Sequence, residues 1–400
     1  MLNQLRHAWA GAREDVAEQP TPRLRRARAA VLVGLVAREL LGMLLLVPYS
    51  LRALACWRAR RASIVTASYF VGGEAENHRQ NVSVFLPRVP SDGRLAPVVV
   101  FVHGGVWSSG EAWQYAPLAA ALADCGVVTA VATYSLYPTS LVDGMVREVD
   151  AAVCFVQANA ERWGGDGGRV TLLGHSAGAH LAAAAVLLRA AREAKGGGAS
   201  PDQPRLPPLH AFVGLSGVYH VAIHYAHEKA RGVHYLSTMC ASMGGKARFD
   251  ALSPLCTLRG DPSLAPRLPP VVLLGSGADV TVPHVQTELF AAALRDAGAP
   301  SLVSARYATV SHADFAISWA PRRREGEAPL LEGAALAARD GVPHGDKIRA
   351  AAPLLRFRPH VADVMAVVRG PRGGARARVV ARGGAVPRGA GAAAQRTRCL

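Results

Sequence analysis

The sequence predicts an α/β fold: a mostly parallel sheet with helices on both faces, a small cap insertion and a hydrophobic N-terminal segment. Three observations predict it. Apolar runs of strand length alternate with helical stretches between residues 81 and 307, an order that builds a parallel sheet covered on both sides. Gly174-His175-Ser176-Ala177-Gly178 joins the run Val170-Thr171-Leu172-Leu173 to an Ala/Leu-rich stretch over 179–191, so a serine sits in a tight strand-to-helix turn. His103-Gly104-Gly105 directly follows Val98-Val99-Val100-Phe101-Val102, so two small residues sit at another strand end.

Taken in order, residues 1–62 form a basic and hydrophobic segment for membrane association or targeting. An Arg cluster (Arg23, Arg25, Arg26, Arg28) precedes an apolar stretch over 29–47, interrupted by Arg38-Glu39 and closed by Pro48. The stretch is long enough for the roughly 20 predominantly apolar residues that span a bilayer, but a central Arg and Glu are costly in lipid. Three readings fit: a membrane or interfacial anchor, an Arg-rich targeting segment, or a soluble helix packed on the body.

The catalytic domain is expected over 63–369. Asn81-Val82-Ser83-Val84-Phe85-Leu86 alternates like a half-buried strand and stops at Pro87. Residues 98–102 read as a buried parallel strand. A helix over 113–123, a strand over 127–132 and a helix over 142–162 lead to the elbow. Gly164-Gly165-Asp166-Gly167-Gly168 reads as a loop before it. Strands follow over 209–215, 270–274 and 302–307, with a helix over 283–297. Residues 218–262, rich in Tyr and His without clean periodicity, read as the cap. Residues 320–353 read as an insertion, 360–369 as a closing helix, and 370–400 as a disordered Gly/Ala/Arg-rich tail.

The net charge is +16, but it is not evenly spread. Residues 1–62 carry 11 basic against 4 acidic side chains, residues 320–400 carry 16 against 6, and the middle carries 18 against 19. No nucleic-acid motif accompanies the basic ends, so nucleic-acid binding is not expected. The six cysteines (Cys56, Cys125, Cys154, Cys240, Cys256, Cys399) show no CxxC pair, which suits a reducing compartment rather than a disulfide or zinc framework. No metal motif and no dinucleotide motif appears, so neither a metal nor a cofactor is expected.

The chemistry follows from the turn. G-x-S-x-G between a strand and a helix is the nucleophile elbow of the α/β-hydrolase fold. A serine hydroxyl needs a base, and the base needs an acid to hold its tautomer. In this fold the order is Ser, acid, His. Asp279 lies past the strand that ends in Gly275-Ser276-Gly277-Ala278, and His312 lies past the next strand. Ser176, Asp279 and His312 are the expected triad. His284, His344 and Asp314 are poorer candidates by position. Backbone N–H groups of Gly104, Gly105 and Ala177 are expected to form the oxyanion hole. Trp107 and Tyr219 are candidate substrate contacts. His103 is expected to brace its loop, and His180 to be structural.

With these residues in place, the chain resembles the prenylcysteine methylesterases (isoprenylcysteine α-carbonyl methylesterases) over about 61–315. The resemblance rests on Ser63-Ile64-Val65, Gly104-Gly105-x-Trp107 with Gly110 and Trp113, Gly164-Gly165-Asp166, and Gly174-x-Ser176-Ala177-Gly178-Ala179-His180. Gly214-Leu215-Ser216-Gly217-x-Tyr219, Arg231-Gly232 and Ser253-Pro254 extend it. It implies hydrolysis of the methyl ester on a prenylated C-terminal cysteine, with release of methanol, at endoplasmic reticulum or Golgi membranes. Organelle targeting and a cytoplasmic location are the alternatives. Thr133-Tyr134-Ser135 departs from the Asp-Tyr-Arg of many relatives. The arylformamidases are also similar, sharing His-Gly-Gly-x-Trp and Gly-His-Ser-Ala-Gly-Ala-His. A tethered binding protein with an inactive hydrolase fold is the non-enzyme alternative.

Overall fold

Continuous valine-rich segments place the sheet at the centre of the molecule. The computed structural model describes residues 15–69, 79–87, 93–196, 206–317 and 359–369, together with residues 9, 12, 13 and 319. The expected insertion over 320–353 and tail over 370–400 lie outside the described residues. The sheet strands are β1 (Ile64–Ser68), β2 (Asn81–Phe85), β3 (Ala96–Val102), β4 (Val128–Ala132), β5 (Gly165–His175), β6 (Ala211–Leu215), β7 (Val271–Ser276) and β8 (Leu302–Tyr307). Their spatial order is β1-β2-β4-β3-β5-β6-β7-β8. β1, β2 and β4 pair antiparallel, and all pairs from β4 through β3 to β8 are parallel. The interior strands β4, β6 and β7 are buried along their full length, whereas the edge strand β8 is not. This is the difference between a strand covered on both faces and one at the rim.

The helices are α1 (Pro22–Leu45), α2 (Val47–Arg60), α3 (Ala116–Asp124), α4 (Val142–Asn159), α5 (Ala177–Ala194), α6 (Val221–Ala230), α7 (Met239–Ser242), α8 (Pro254–Gly260), α9 (Val285–Asp296), α10 (Asp314–Ile317) and α11 (Pro359–Arg369). One side of the sheet gathers Met145, Val149 and Val153 of α4, Leu181 and Leu187 of α5, Phe290 and Leu294 of α9, and much of the cap. The other side gathers Leu118 and Leu122 of α3, Phe315 of α10, and Val364 and Val368 of α11. The mostly parallel α/β-hydrolase architecture predicted from the sequence is therefore present. The helical segments between β6 and β7 occupy the place expected for the cap.

Three local expectations are corrected. Residues 81–86 do not form a half-buried strand: Val82, Val84 and Phe85 are all buried. The cause is α2, whose Trp57 meets Phe85 edge-on at 5.8 Å between ring centroids and covers the second face. α2 also pairs Arg60 with Asp124, buries Ala53, and donates the Tyr49 hydroxyl to the Gln114 carbonyl at 2.6 Å. It packs on the hydrolase body although it lies ahead of the expected boundary at 62. Pro48 ends the apolar helix by opening α2, in whose first turn its missing N–H is harmless. Finally, Gly165 is not loop but joins the sheet opposite Ala96. A Cβ there would stand 2.6 Å from a Val98 methyl, so only glycine lets the strands approach.

α1 differs from the other helices. Val33, Leu40, Leu41, Leu44 and Leu45 are exposed, and over Pro22–Ala59 it forms part of the one helical run, among the described residues, long and apolar enough to cross a membrane. Its Leu35 lies 2.7 Å from where a Cβ of Gly232 would stand, so α1 rests on the cap.

The elbow is the tightest point of the sheet. A Cβ on Gly178 would stand 2.1 Å from the Val102 carbonyl oxygen and 2.4 Å from that of His103, both backbone atoms that cannot turn away. Gly178→Ala is expected to destabilise the protein by about 1–3 kcal/mol or more. Gly260→Ala, where nothing lies within 4 Å, serves as the neutral control. Urea-unfolding midpoints check this, and equal midpoints for the two variants would contradict the contact.

Candidate active site

The carboxyl ends of β3, β5, β6, β7 and β8 deliver every residue of the site to one edge. Ser176 is half-buried and is held at φ +56°, a left-handed conformation that is strained for a side-chain-bearing residue. The sheet enforces it: Ser176 donates its backbone N–H to the Leu215 carbonyl at 2.9 Å, and its own carbonyl accepts from Ala179 at 3.0 Å. Asp279 follows β7, and His312 follows β8. The His312 Nδ1 lies 2.7 Å from Asp279 Oδ2, and its Nε2 lies 3.0 Å from Ser176 Oγ. The three residues expected from sequence order are thus brought together. His284 is elsewhere, facing Glu288 at the start of α9. Asp314 accepts from Ser311, and His344 lies outside the described residues.

Gly104 and Gly105 follow β3 beside the elbow. A Cβ on Gly104 would stand 2.9 Å from the Ser176 Cβ, so glycine lets this backbone come up against the serine. Gly105 adopts φ +124°, open to glycine at no steric cost. Ala177 opens α5, so its N–H has no acceptor within the helix. His103 is fully buried, stacks on Tyr134 at 4.6 Å, and its Nδ1 lies 2.8 Å from the Gly104 carbonyl. It accepts the Tyr134 hydroxyl on its own carbonyl at 2.9 Å. That arrangement fixes the loop, as expected for a bracing residue. Arg79 contributes from outside the sequence argument. It donates to the Tyr134 carbonyl at 3.0 Å and to the Gly110 carbonyl at 2.7 Å, and pairs with Glu111. It ties the segment 133–135, which departs from the relatives' pattern, to the loop after β3.

Trp107 and Tyr219 do not reach the surface. Trp107 is 1% exposed and Tyr219 0%, so the expectation that they touch substrate is corrected. Trp107 donates its indole N–H to His180 Nδ1 at 3.1 Å, and His180 Nε2 donates to the Leu252 carbonyl at 2.8 Å. Tyr219 stacks on Phe290 with centroids 4.6 Å apart. Large aromatic rings at strand ends fill the core here rather than line a pocket.

Besides Arg79, sequence reasoning missed two residues that touch Asp279 and His312. Ser216, at φ +46° after β6, donates its hydroxyl to Asp279 Oδ2. His175, beside the serine, donates through Nε2 to the His312 carbonyl at 3.1 Å and packs against the His312 ring at 4.8 Å. The signal for Ser216 was present: a serine at the carboxyl end of an apolar strand, on the edge that carries Ser176, Asp279 and His312. For His175 nothing local distinguishes it from a filler in the G-x-S-x-G pattern.

Electrostatics separate the two kinds of residue. Burial alone would raise the Asp279 carboxyl, but hydrogen bonds from His312, Ser216 and the Val282 N–H, with the His312 charge, hold it below the ordinary 3.8. Burial lowers His103 to about 4, His175 to about 3, and His180 to about 4, all from 6.5. These three imidazoles are therefore neutral at physiological pH.

Unfolding releases those imidazoles. Between about pH 6.5 and 4 the unfolded chain binds up to about three protons that the folded chain refuses. Their contribution to stability is complete above pH 6.5 and is lost as pH falls, and Asp279 acts in the same direction below the ordinary carboxylate range. The urea midpoint is expected to be clearly lower at pH 5 than at pH 7.5. An unchanged midpoint would mean that the histidines are not buried as described.

Known proteins share this architecture. The isoprenylcysteine alpha-carbonyl methylesterase of Arabidopsis thaliana is 35% identical over 241 residues, 59% of this chain and 54% of that protein. The probable isoprenylcysteine alpha-carbonyl methylesterase of Oryza sativa subsp. japonica is 35% identical over 228 residues, 55% of this chain and 52% of that protein. The chain thus spans about half the length of the curated relatives it matches. Esterase B from Lactobacillus rhamnosis aligns in structure with a TM-score of 0.53 at 17% identity, covering 86% of this chain and 99% of that one, which speaks for the fold. The resemblance drawn from the motifs is borne out by these relatives. The BD-FAE family model matches residues 82–294, from β2 through the cap to the last turn of α9, and the chain belongs to that family.

Proposed function

We propose that the protein is a serine carboxylesterase that hydrolyses the methyl ester of a prenylated C-terminal cysteine. The observation that carries the reaction class is the bridge made by His312 between Ser176 Oγ at 3.0 Å and Asp279 at 2.7 Å. In the proposed reaction, Ser176 Oγ attacks the ester carbonyl carbon while His312 Nε2 takes its proton. The Nδ1–H stays on Asp279, which fixes the tautomer and stabilises the imidazolium. The N–H groups of Gly104, Gly105 and Ala177 meet the oxygen that becomes negative. His312 then returns the proton to the departing methoxide, giving methanol and an acyl-serine. A water molecule, deprotonated by His312, attacks the acyl carbon. Ser176 regains its proton, and the free carboxylate leaves.

The substrate rests on the named relatives and on the surroundings of the site. Val106 of the loop after β3, Leu236 of the cap and Val280 beside Asp279 are exposed apolar residues. The apolar helix α1 lies on the same cap. A lipidated cysteine suits such a rim, and a bilayer at the endoplasmic reticulum or Golgi would cover α1.

Ser176→Ala is expected to lower turnover of a short-chain chromogenic ester by roughly 10⁴-fold or more. Residual activity near that of the parent would remove the triad assignment. Farnesylcysteine methyl ester is expected to be cleaved much faster than N-formylkynurenine, and the reverse ranking would place the protein with the arylformamidases. Because α2 packs on the body, the anchor is tested by removing residues 1–45 alone. The truncated protein is expected in the soluble fraction, and persistent sedimentation with membranes would refute the anchor.

A further inference from the structure

The cap holds a second cluster of reactive side chains that the proposed reaction does not use. His220 ends the segment after β6, Asp250 follows the turn Lys246–Arg248, and Cys256 lies in the first turn of α8. Cys256 Sγ lies 3.9 Å from His220 Nε2 and 3.9 Å from Asp250 Oδ1. One ligand atom from each residue falls within 4.8 Å of the other two. Tetrahedral zinc, with Zn–S near 2.3 Å and Zn–N or Zn–O near 2.0–2.1 Å, sets sulfur about 3.6 Å from each neighbouring ligand. The two edges at sulfur are therefore a few tenths of an ångström wider than in a formed site, and the edge between His220 and Asp250, within 4.8 Å, closes to about 3.4 Å when the ion binds.

The backbones that carry these ligands are pinned. Gln286 of α9 accepts the backbone N–H groups of Tyr219 and His220, at 2.9 and 2.7 Å, and donates to the His220 carbonyl at 3.0 Å. Leu255 donates to the Tyr219 carbonyl at 2.9 Å, and Val221 donates to Ser253 Oγ at 2.9 Å. Ser253 in turn donates its backbone N–H to the Asp250 carbonyl at 3.1 Å. The three ligand-bearing segments thus form one hydrogen-bonded frame, the kind of support that orients metal ligands.

We propose that His220, Asp250 and Cys256 bind a thiophilic divalent cation of the zinc class, with water in the fourth position, and that the ion staples the start of the cap to α8. Thiolate, imidazole and carboxylate together match zinc better than calcium or magnesium, which take oxygen ligands. Binding forms one bond each from Cys256 Sγ, His220 Nε2 and an Asp250 oxygen. The thiol proton passes to solvent. The imidazole proton moves to Nδ1, which gives up a 3.5 Å contact from the Ile223 N–H. The Arg259 charge acts on His220 from nearby, and the thiolate and carboxylate offset it. The site is independent of the reaction proposed above.

Reduced, metal-free, full-length protein titrated with Zn²⁺ in competition with a chromophoric chelator is expected to take up one equivalent. Co²⁺ in its place is expected to give a thiolate-to-metal charge-transfer band in the near ultraviolet. Cys256→Ser should abolish that band, and Asp250→Asn and His220→Gln should each weaken Zn²⁺ binding at least tenfold. Zn²⁺ should also protect Cys256 from iodoacetamide, read by mass spectrometry of the Cys256 peptide. Each variant's fold is checked by its circular dichroism. Absence of a bound equivalent, or equal binding by the parent and all three variants, would overturn the proposal.

Discussion

The approach of Gly178 to the carbonyl oxygens of Val102 and His103 is the constraint on which the rest of the structure depends. It seats the start of α5 against the end of β3 at a distance that no side chain permits. From that single contact the other placements follow. Ser176 is forced into a left-handed conformation and projects above the sheet. Gly104 is brought against the serine. In the proposed reaction the first N–H of α5 and the N–H groups after β3 serve the same oxygen. A preorganised anion site of this kind requires no rearrangement when charge develops. The elbow is thus a positioning device for two loops as well as for the serine.

Much of this was legible in the sequence, for physical reasons. Buried parallel strands must be apolar on both faces, so residues 98–102 and 271–274 announce themselves as continuous runs. The elbow requires glycine at 174 and 178, and parallel topology places Asp279 and His312 at the same edge as Ser176. What escaped depended on tertiary partners. Residues 82–85 alternate in polarity, yet they are covered twice because α2, which precedes the whole sheet in the chain, lies over Phe85. Gly165 reads as loop because its need for glycine comes from Val98 on another strand. Trp107 and Tyr219 carry the residue types of a binding surface, and only their burial shows that they serve the core. The Arg79 brace could not be inferred from either segment it joins.

The cap is also more than a lid on the sheet. His180, one turn along α5, accepts from Trp107 of the loop after β3 and donates to Leu252 of the cap. Thr238 of the cap donates to the Val106 carbonyl at 2.6 Å, and His227 of the cap lies 2.9 Å from the Val280 carbonyl beside Asp279. The loop after β3, which carries Gly104 and Gly105, and the loop that carries Asp279 are therefore each tied to the cap. Burial keeps His180 neutral, so this connection does not switch off across the physiological range.

The chain from Trp107 through His180 to Leu252 bears on how such a scaffold diversifies. Here His180 takes its acceptor from the cap and its donor from the loop after β3. Any transplanted cap lacking a carbonyl at the position of Leu252 would leave a buried imidazole N–H unsatisfied, at about 1–3 kcal/mol. It would also loosen the tryptophan behind Gly104 and Gly105. In this chain the cap and the loop after β3 are thus one hydrogen-bonded unit, and side-chain changes within the existing cap leave that unit intact where wholesale replacement would not.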